Sequence, residues 1–180
     1  KLFTVTSAAG ATNKLLQVAS GAVYKTPSIF DALDKEEPEE SSKREVIQIH
    51  DAKVEALMDL IEELNGKPCL IGFIYTHERE RIVAALLKNK NIALPKDENG
   101  DRFVPWIAGG VSDKKGDRFI DMWNAGELQV LLGHPRSIGH GLNMQEVRAS
   151  IILFSMTWDL EDYIQFIKRY YRRGVKGTTM

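Results

Sequence analysis

Three short apolar runs constrain this chain most: Cys69–Tyr75 (CLIGFIY), Leu128–Leu132 (LQVLL) and Ser150–Phe154 (SIILF). None alternates polar with apolar residues, so each reads as a strand covered on both faces. Val104–Ile107, closed by Gly109-Gly110, is a fourth and shorter candidate. Segments of helical period lie between the runs. Asp51–Leu64 sets Val54, Leu57, Met58, Ile61 and Leu64 on one side and stops at Asn65-Gly66. His77–Leu87 turns Ile82, Val83, Leu86 and Leu87 inward. Asp113–Asn124 does the same with Phe119, Ile120 and Trp123, and Asp159–Arg172 is the closing helix. Lys14–Tyr24 reads as a further amphipathic helix, weakened by Gly21. Strands alternating with helices predict an α/β fold, a parallel sheet with helices on both faces. Ligand sites in such sheets lie beyond the carboxyl ends of the strands. Here that means the segments Thr76–His77, Ala108–Ser112, Gly133–Gln145 and Ser155–Asp159.

The 180 residues suffice for one domain with a sizeable core. A formal net charge of −1 sets up no global field toward nucleic acid or a membrane, so any basic surface must be local. Lys168, Arg169, Arg172, Arg173 and Lys176 form such a cluster. Acid collects at the other end, where Asp34–Arg44 reads DKEEPEESSKR. That stretch is expected to be a mobile acidic loop over 27–46, joining a leading helix and linker (1–26) to the main domain (47–180). The single cysteine, Cys69, excludes an intrachain disulfide, suits a reducing compartment and reads as a buried, inert thiol. No segment is long and apolar enough to span a bilayer, and no secretory signal pattern opens the chain. A cytoplasmic location is expected.

Two segments carry chemistry. The first, Gly133–Gln145 (GHPRSIGHGLNMQ), follows a strand. Gly139 and Gly141 permit positive φ and close approach of a ligand, Ser137 and Asn143 offer neutral donors and acceptors, and Arg136 adds charge. It is neither a GxGxxG fingerprint nor a Walker A loop. His134 and His140 lack cysteine or carboxylate companions, so no metal is expected. His50 reads as a helix-start residue and His77 as a strand-exit residue. Glu62, Glu63, Glu78 and Glu80 read as solvated helix charges. The second segment, Gln165–Gly174 (QFIKRYYRRG), sets Gln165, Arg169 and Arg172 at i, i+4 and i+7 of a helix. Ile164, Ile167 and Tyr171 form a stripe for packing. Planar guanidinium groups held in line suit an anionic oxygen target such as phosphate.

The order strand, SIGHGLNMQ, strand, SMTWDLEDYIQFIKRYYRRG resembles motifs V and VI of superfamily-two helicases and translocases, especially the Swi/Snf-like branch and related phage helicases. Gly141-Leu142-Asn143-Met144 resembles that branch's GLNL, and Trp158, Gln165, Arg169, Arg172 and Gly174 match the next motif at its spacing. Lys67–His77 looks like motif IV. Ser155 stands where the branch usually has Asp, Asp159-Leu160 replaces Asn-Pro, Tyr163 replaces Asp and Val175 replaces Gln. The resemblance implies a RecA-like lobe. With no GxxxxGK[ST] and no DEx[HD] sequence, it implies the second lobe alone, with ATP and Mg²⁺ held mainly by an N-terminal RecA-like lobe. It further implies that Arg172, then Arg169, act as arginine fingers and that Gln165 positions the phosphate or its attacking water. Gly141 and Asn143 would lie near the nucleotide. Ser137, Thr76, Gly110 and Trp158 would face nucleic acid, DNA or RNA. The alternative is a non-catalytic nucleic-acid-binding module of the same fold.

Overall fold

Successive residues of the apolar runs go to opposite faces of one sheet. The structure is a computed structural model that describes residues 7–25, 44–109, 113–139, 144, 146–157 and 159–170. The chain divides at Lys53–Val54 into two compact units.

In the larger unit, β3 (Cys69–Gly72), β4 (Trp106–Ile107), β5 (Val130–Gly133) and β6 (Ser150–Leu153) form a sheet in the order β4-β5-β3-β6, every pair parallel. Cys69 stands opposite Val130 on one side and Ser150 on the other. Cys69, Ile71, Val130 and Leu132 point to the first face. There they meet Val54, Leu57 and Ile61 of α2 (Ala52–Glu63) and Ile82 and Leu86 of α3 (Thr76–Lys88). Leu70 and Leu131, one residue out of step, point to the second face. They meet Phe119, Ile120 and Trp123 of α4 (Asp113–Asn124), Ile138 of α5 (Pro135–Gly139) and Phe166 of α6 (Leu160–Tyr170). The period of two therefore feeds two cores, and β3 and β5 carry no polar side chain because neither face meets water. This is the expected parallel sheet with helices on both faces.

The smaller unit holds α1 (Ala8–Ala19) and an antiparallel pair, β1 (Ala22–Tyr24) with β2 (Val46–Gln48). Ser7 caps α1 by accepting from the Gly10 amide at 3.1 Å. The helix expected over Lys14–Tyr24 thus starts earlier and stops at Ala19. Gly21, at φ 93°, turns the chain, and Tyr24 donates its amide to Gln17 Oε1 at 3.1 Å. The acidic stretch lies largely outside the described residues. No described helix is long and apolar enough to cross a membrane.

The expected elements of the larger unit recur with shorter strands. Gly133–Gln145 departs from a plain loop: Pro135–Gly139 is a short helix. Gly139 is its last residue. Pro135 suits the first helical position, where no backbone donor is needed. Of the packing stripe expected on α6, Ile167 packs on the second core, Ile164 is half-buried and Tyr171 lies outside the described residues, while the residue wholly buried is Phe166.

Candidate functional site

β3 passes its chain to α3 on the first face, whereas its neighbours β5 and β6 pass theirs to α5 and α6 on the second. The connections diverge on either side of β3, and in open α/β sheets it is at such points of the carboxyl rim that ligands bind. Backbone bonds lace that rim. Phe73 donates to the Gly133 carbonyl at 3.1 Å, Phe154 to that of Gly72 at 2.9 Å, and His134 to that of Ile107 at 2.8 Å.

The turn from β3 into α3 is held by a side chain that its sequence does not advertise. Glu78 Oε2 accepts from the Ile74 amide at 2.9 Å and the Tyr75 amide at 3.1 Å, while Oε1 accepts from the Ser155 hydroxyl. Glu78 is wholly buried. The expectation of a solvated helix charge is therefore corrected: two open backbone donors at the helix start and one hydroxyl from beyond β6 compensate its desolvation. His77 is buried beside it and stacks on Tyr75 with ring centroids 5.3 Å apart. Burial holds its imidazole below the ordinary histidine range, with Arg81 acting in the same direction and Glu78 and Glu80 opposing.

On the other side, Asp159 Oδ1 caps α6 by accepting from the Glu161 amide at 2.9 Å and the Asp162 amide at 3.3 Å. Arg136 of α5 donates Nε to Asp162 Oδ2 at 2.8 Å, with Asp159 Oδ2 3.9 Å from its Nη2. The loop cation thus faces the start of α6, and its guanidinium pKa is raised, first by the hydrogen bond to Asp162. Gln165 is half-buried and donates Nε2 to Glu161 Oε1 at 2.9 Å. Among the described residues no group of three His, Cys, Asp or Glu side chains is placed to hold a metal.

The sequence profile of the family described as the helicase conserved C-terminal domain matches residues 52–174, which span the sheet, the rim and α6. The chain belongs to that family. This helicase lobe is 34% identical over 163 residues to protein p41 of Acyrthosiphon pisum secondary endosymbiont phage 1. The match takes in 91% of this chain, which spans only 28% of that protein's length. Two solved structures share the fold. The C-terminal part of the Fun30 ATPase domain matches at TM-score 0.58 and 17% identity, over 73% of this chain and 42% of that one. The C-terminal domain of the DEAD-box protein Dbp5 matches at TM-score 0.51 and 18% identity, over 71% and 67%.

In the helicase lobe, Thr76 opens α3 at the end of β3 and is exposed, and Ser137 lies half-buried in α5 at the end of β5. α6 begins just beyond β6, so three elements carrying sequence-predicted residues start at one rim. Gln165 lies about one and a half turns into α6, beside Phe166, and the backbone of Arg169 follows one turn later. Gly110, Gly141, Asn143, Trp158 and Arg172 lie outside the described residues, as does the Arg169 side chain. A groove of about 720 Å³ at the β4 edge is lined by Phe103, Trp106, Lys114, Arg118 and neighbours, and includes none of the predicted residues. Sequence reasoning missed Glu78. Its one local signal was position: a glutamate three residues after Tyr75, where a side chain can reach back to the helix start.

Proposed function

We propose that this helicase lobe is the second motor lobe of a nucleic-acid-dependent ATPase, a DNA helicase or translocase of the Swi/Snf-like, phage-type branch. ATP and Mg²⁺ are held mainly by a first RecA-like lobe, and this lobe closes on them. Arg172 is the arginine finger, Arg169 its second, and Gln165 positions the terminal phosphate or its attacking water. Gly141 and Asn143 lie beside the nucleotide; Ser137, Thr76, Gly110 and Trp158 face the nucleic-acid backbone. The protein works in the cytoplasm, that of the host for a phage-encoded copy.

The observation that carries this reading is the family match over 52–174, which includes the whole Gln165–Gly174 segment. α6, which bears Gln165 and Arg169, also starts at the rim where Thr76 and Ser137 stand. Phosphoryl transfer needs charge stabilisation above all, and an arginine supplied across an interface is worth roughly 10³–10⁵ in rate. Hydrolysis would therefore depend on closure of two lobes, and contacts to phosphates would make movement insensitive to base sequence.

The test is ATP hydrolysis by the longer protein that joins this lobe to its first lobe. Arg172→Ala should lower turnover by orders of magnitude with the fold intact, and this lobe by itself should hydrolyse ATP negligibly. Wild-type turnover in the variant removes the finger assignment. Turnover by the lone lobe at the rate of the longer protein removes the two-lobe reading.

A further inference from the structure

A glutamate that served only to cap α3 would need one carboxylate oxygen and could stay in water. Glu78 does more: Oε2 accepts from both the Ile74 and Tyr75 amides, and Oε1 accepts a hydrogen bond from the Ser155 hydroxyl, 77 positions away and just beyond β6. Its side chain is wholly buried, so each of these donors offsets lost hydration. Ser155 stands where the resembled branch usually has Asp. An aspartate there would place a second carboxylate against Glu78 in a site shielded from water, where two like charges disfavour one another. A serine supplies the donor that the buried carboxylate requires. The departure at 155 and the burial at 78 thus explain each other.

The two ends of this contact matter for where they sit. Ile74 and Tyr75 are the turn that delivers Thr76 to the rim, and Ser155 opens the segment that leads into α6, whose Asp159 caps the helix bearing Gln165 and Arg169. We propose that Glu78 is a positioning residue that ties the β6–α6 segment to the β3–α3 turn, so that the nucleic-acid side and the nucleotide side of the lobe are held in one fixed relation. This rests on the motor-lobe reading above. Glu78 itself touches neither nucleotide nor nucleic acid; it acts through the backbone it holds.

The experiment uses the two-lobed protein with Ser155→Ala, Ser155→Thr, Glu78→Ala and the double variant Glu78→Ala/Ser155→Ala. Ser155→Ala should lower nucleic-acid-stimulated turnover about tenfold while the KM for ATP stays within twofold. Ser155→Thr, which keeps the hydroxyl, should restore it. The double variant should be no worse than Glu78→Ala alone, because the two groups act through one contact. Wild-type stimulation in Ser155→Ala, or additive losses in the double variant, overturns the proposal. Hydrogen exchange on the same proteins separates this failure from failure of the functional reading. In Ser155→Ala the amides of Ile74, Tyr75, Glu161 and Asp162 should exchange at least tenfold faster, with Leu70 and Leu131 unchanged. Unaltered exchange at those four sites overturns the proposal whatever the turnover. Absent nucleic-acid stimulation in the wild type overturns the motor reading, and the exchange result then decides the role of Glu78.

Discussion

A Cβ placed on Gly133 would lie 1.8 Å from Cδ1 and 2.8 Å from Cγ1 of Ile138. Ile138 is wholly buried on the second face of the sheet, so it has no free space to swing into. The last residue of β5 is therefore glycine so that the short helix α5 can fold back onto the strand that precedes it. Gly133→Ala should destabilise the lobe by about 1–3 kcal/mol, the usual cost of overpacking. Urea unfolding should show a lowered midpoint with the slope unchanged. An unshifted midpoint would mean that α5 is not seated as described.

Phe166 seats α6. A Cβ on Gly72 would meet its Cζ at 3.2 Å and Leu153 Cδ2 at 2.9 Å, so the ring lies close against the end of β3. Phe166→Ala should cost about 3–5 kcal/mol through lost burial and the cavity left behind. Ile164→Ala should cost distinctly less, because Ile164 is only half-buried. Equal losses in the two variants would restore the stripe expected from sequence.

Burial pushes the Cys69 thiol up to about 12. The thiolate is the reactive form, so the folded lobe should resist alkylation at pH 8 and react promptly in urea. The linkage has a definite sign. Unfolding releases a thiol that ionises above about 9, its reference value, while the folded thiol stays protonated until about 12. The unfolded state then binds fewer protons, so stability falls as pH rises through that window. Cys69→Ala should flatten the decline between pH 9 and 10.5, measured by thermal unfolding.

His134 lies at the end of β5, its ring edge-on to Phe73 at 6.0 Å. Burial first, then Arg136, holds its pKa below 6.5, with Asp162 and Glu78 opposing. The folded state therefore prefers the neutral ring. Its contribution is present above about pH 6.5 and is lost as pH falls through the lower folded value, because the unfolded chain takes up the proton first. The ring's NMR titration should show a midpoint below that of a free histidine. A midpoint at or above the reference value would contradict the burial described.

Under the motor-lobe reading, binding of a single-stranded oligonucleotide should be weak and should fall steeply with salt, because contacts to phosphates release condensed cations. A fluorescence-anisotropy titration from low to moderate salt measures the slope. Tight binding without a salt slope would instead favour a module that grips bases.

α2 and α4 were legible because a single face carries the signal and the stop is local: Asn65 and Gly66 both adopt positive φ, and Gly126 does so after α4. The apolar runs were legible as strands because burial on both faces leaves no polar residue in β3 or β5. β1 and β2 were not, since three residues carry no period and each strand's partner is remote in sequence, Ala22 standing opposite Gln48 and Tyr24 opposite Val46. The pairing of Arg136 with Asp162 was equally invisible, being a contact between two helices that are separate in sequence.

What the amino-acid order determined by itself was the class of fold, the sequence of its elements and the residue types gathered near its rim, because helical period, strand hydrophobicity and turn chemistry are local quantities. What only the tertiary structure decided was which of those residues are spoken for. Glu78 reads as a surface acid until β6 brings Ser155 to it, and nothing local to Gly133 shows that Ile138 folds back upon it. Burial depends on neighbours distant along the chain, and no local pattern encodes where they arrive.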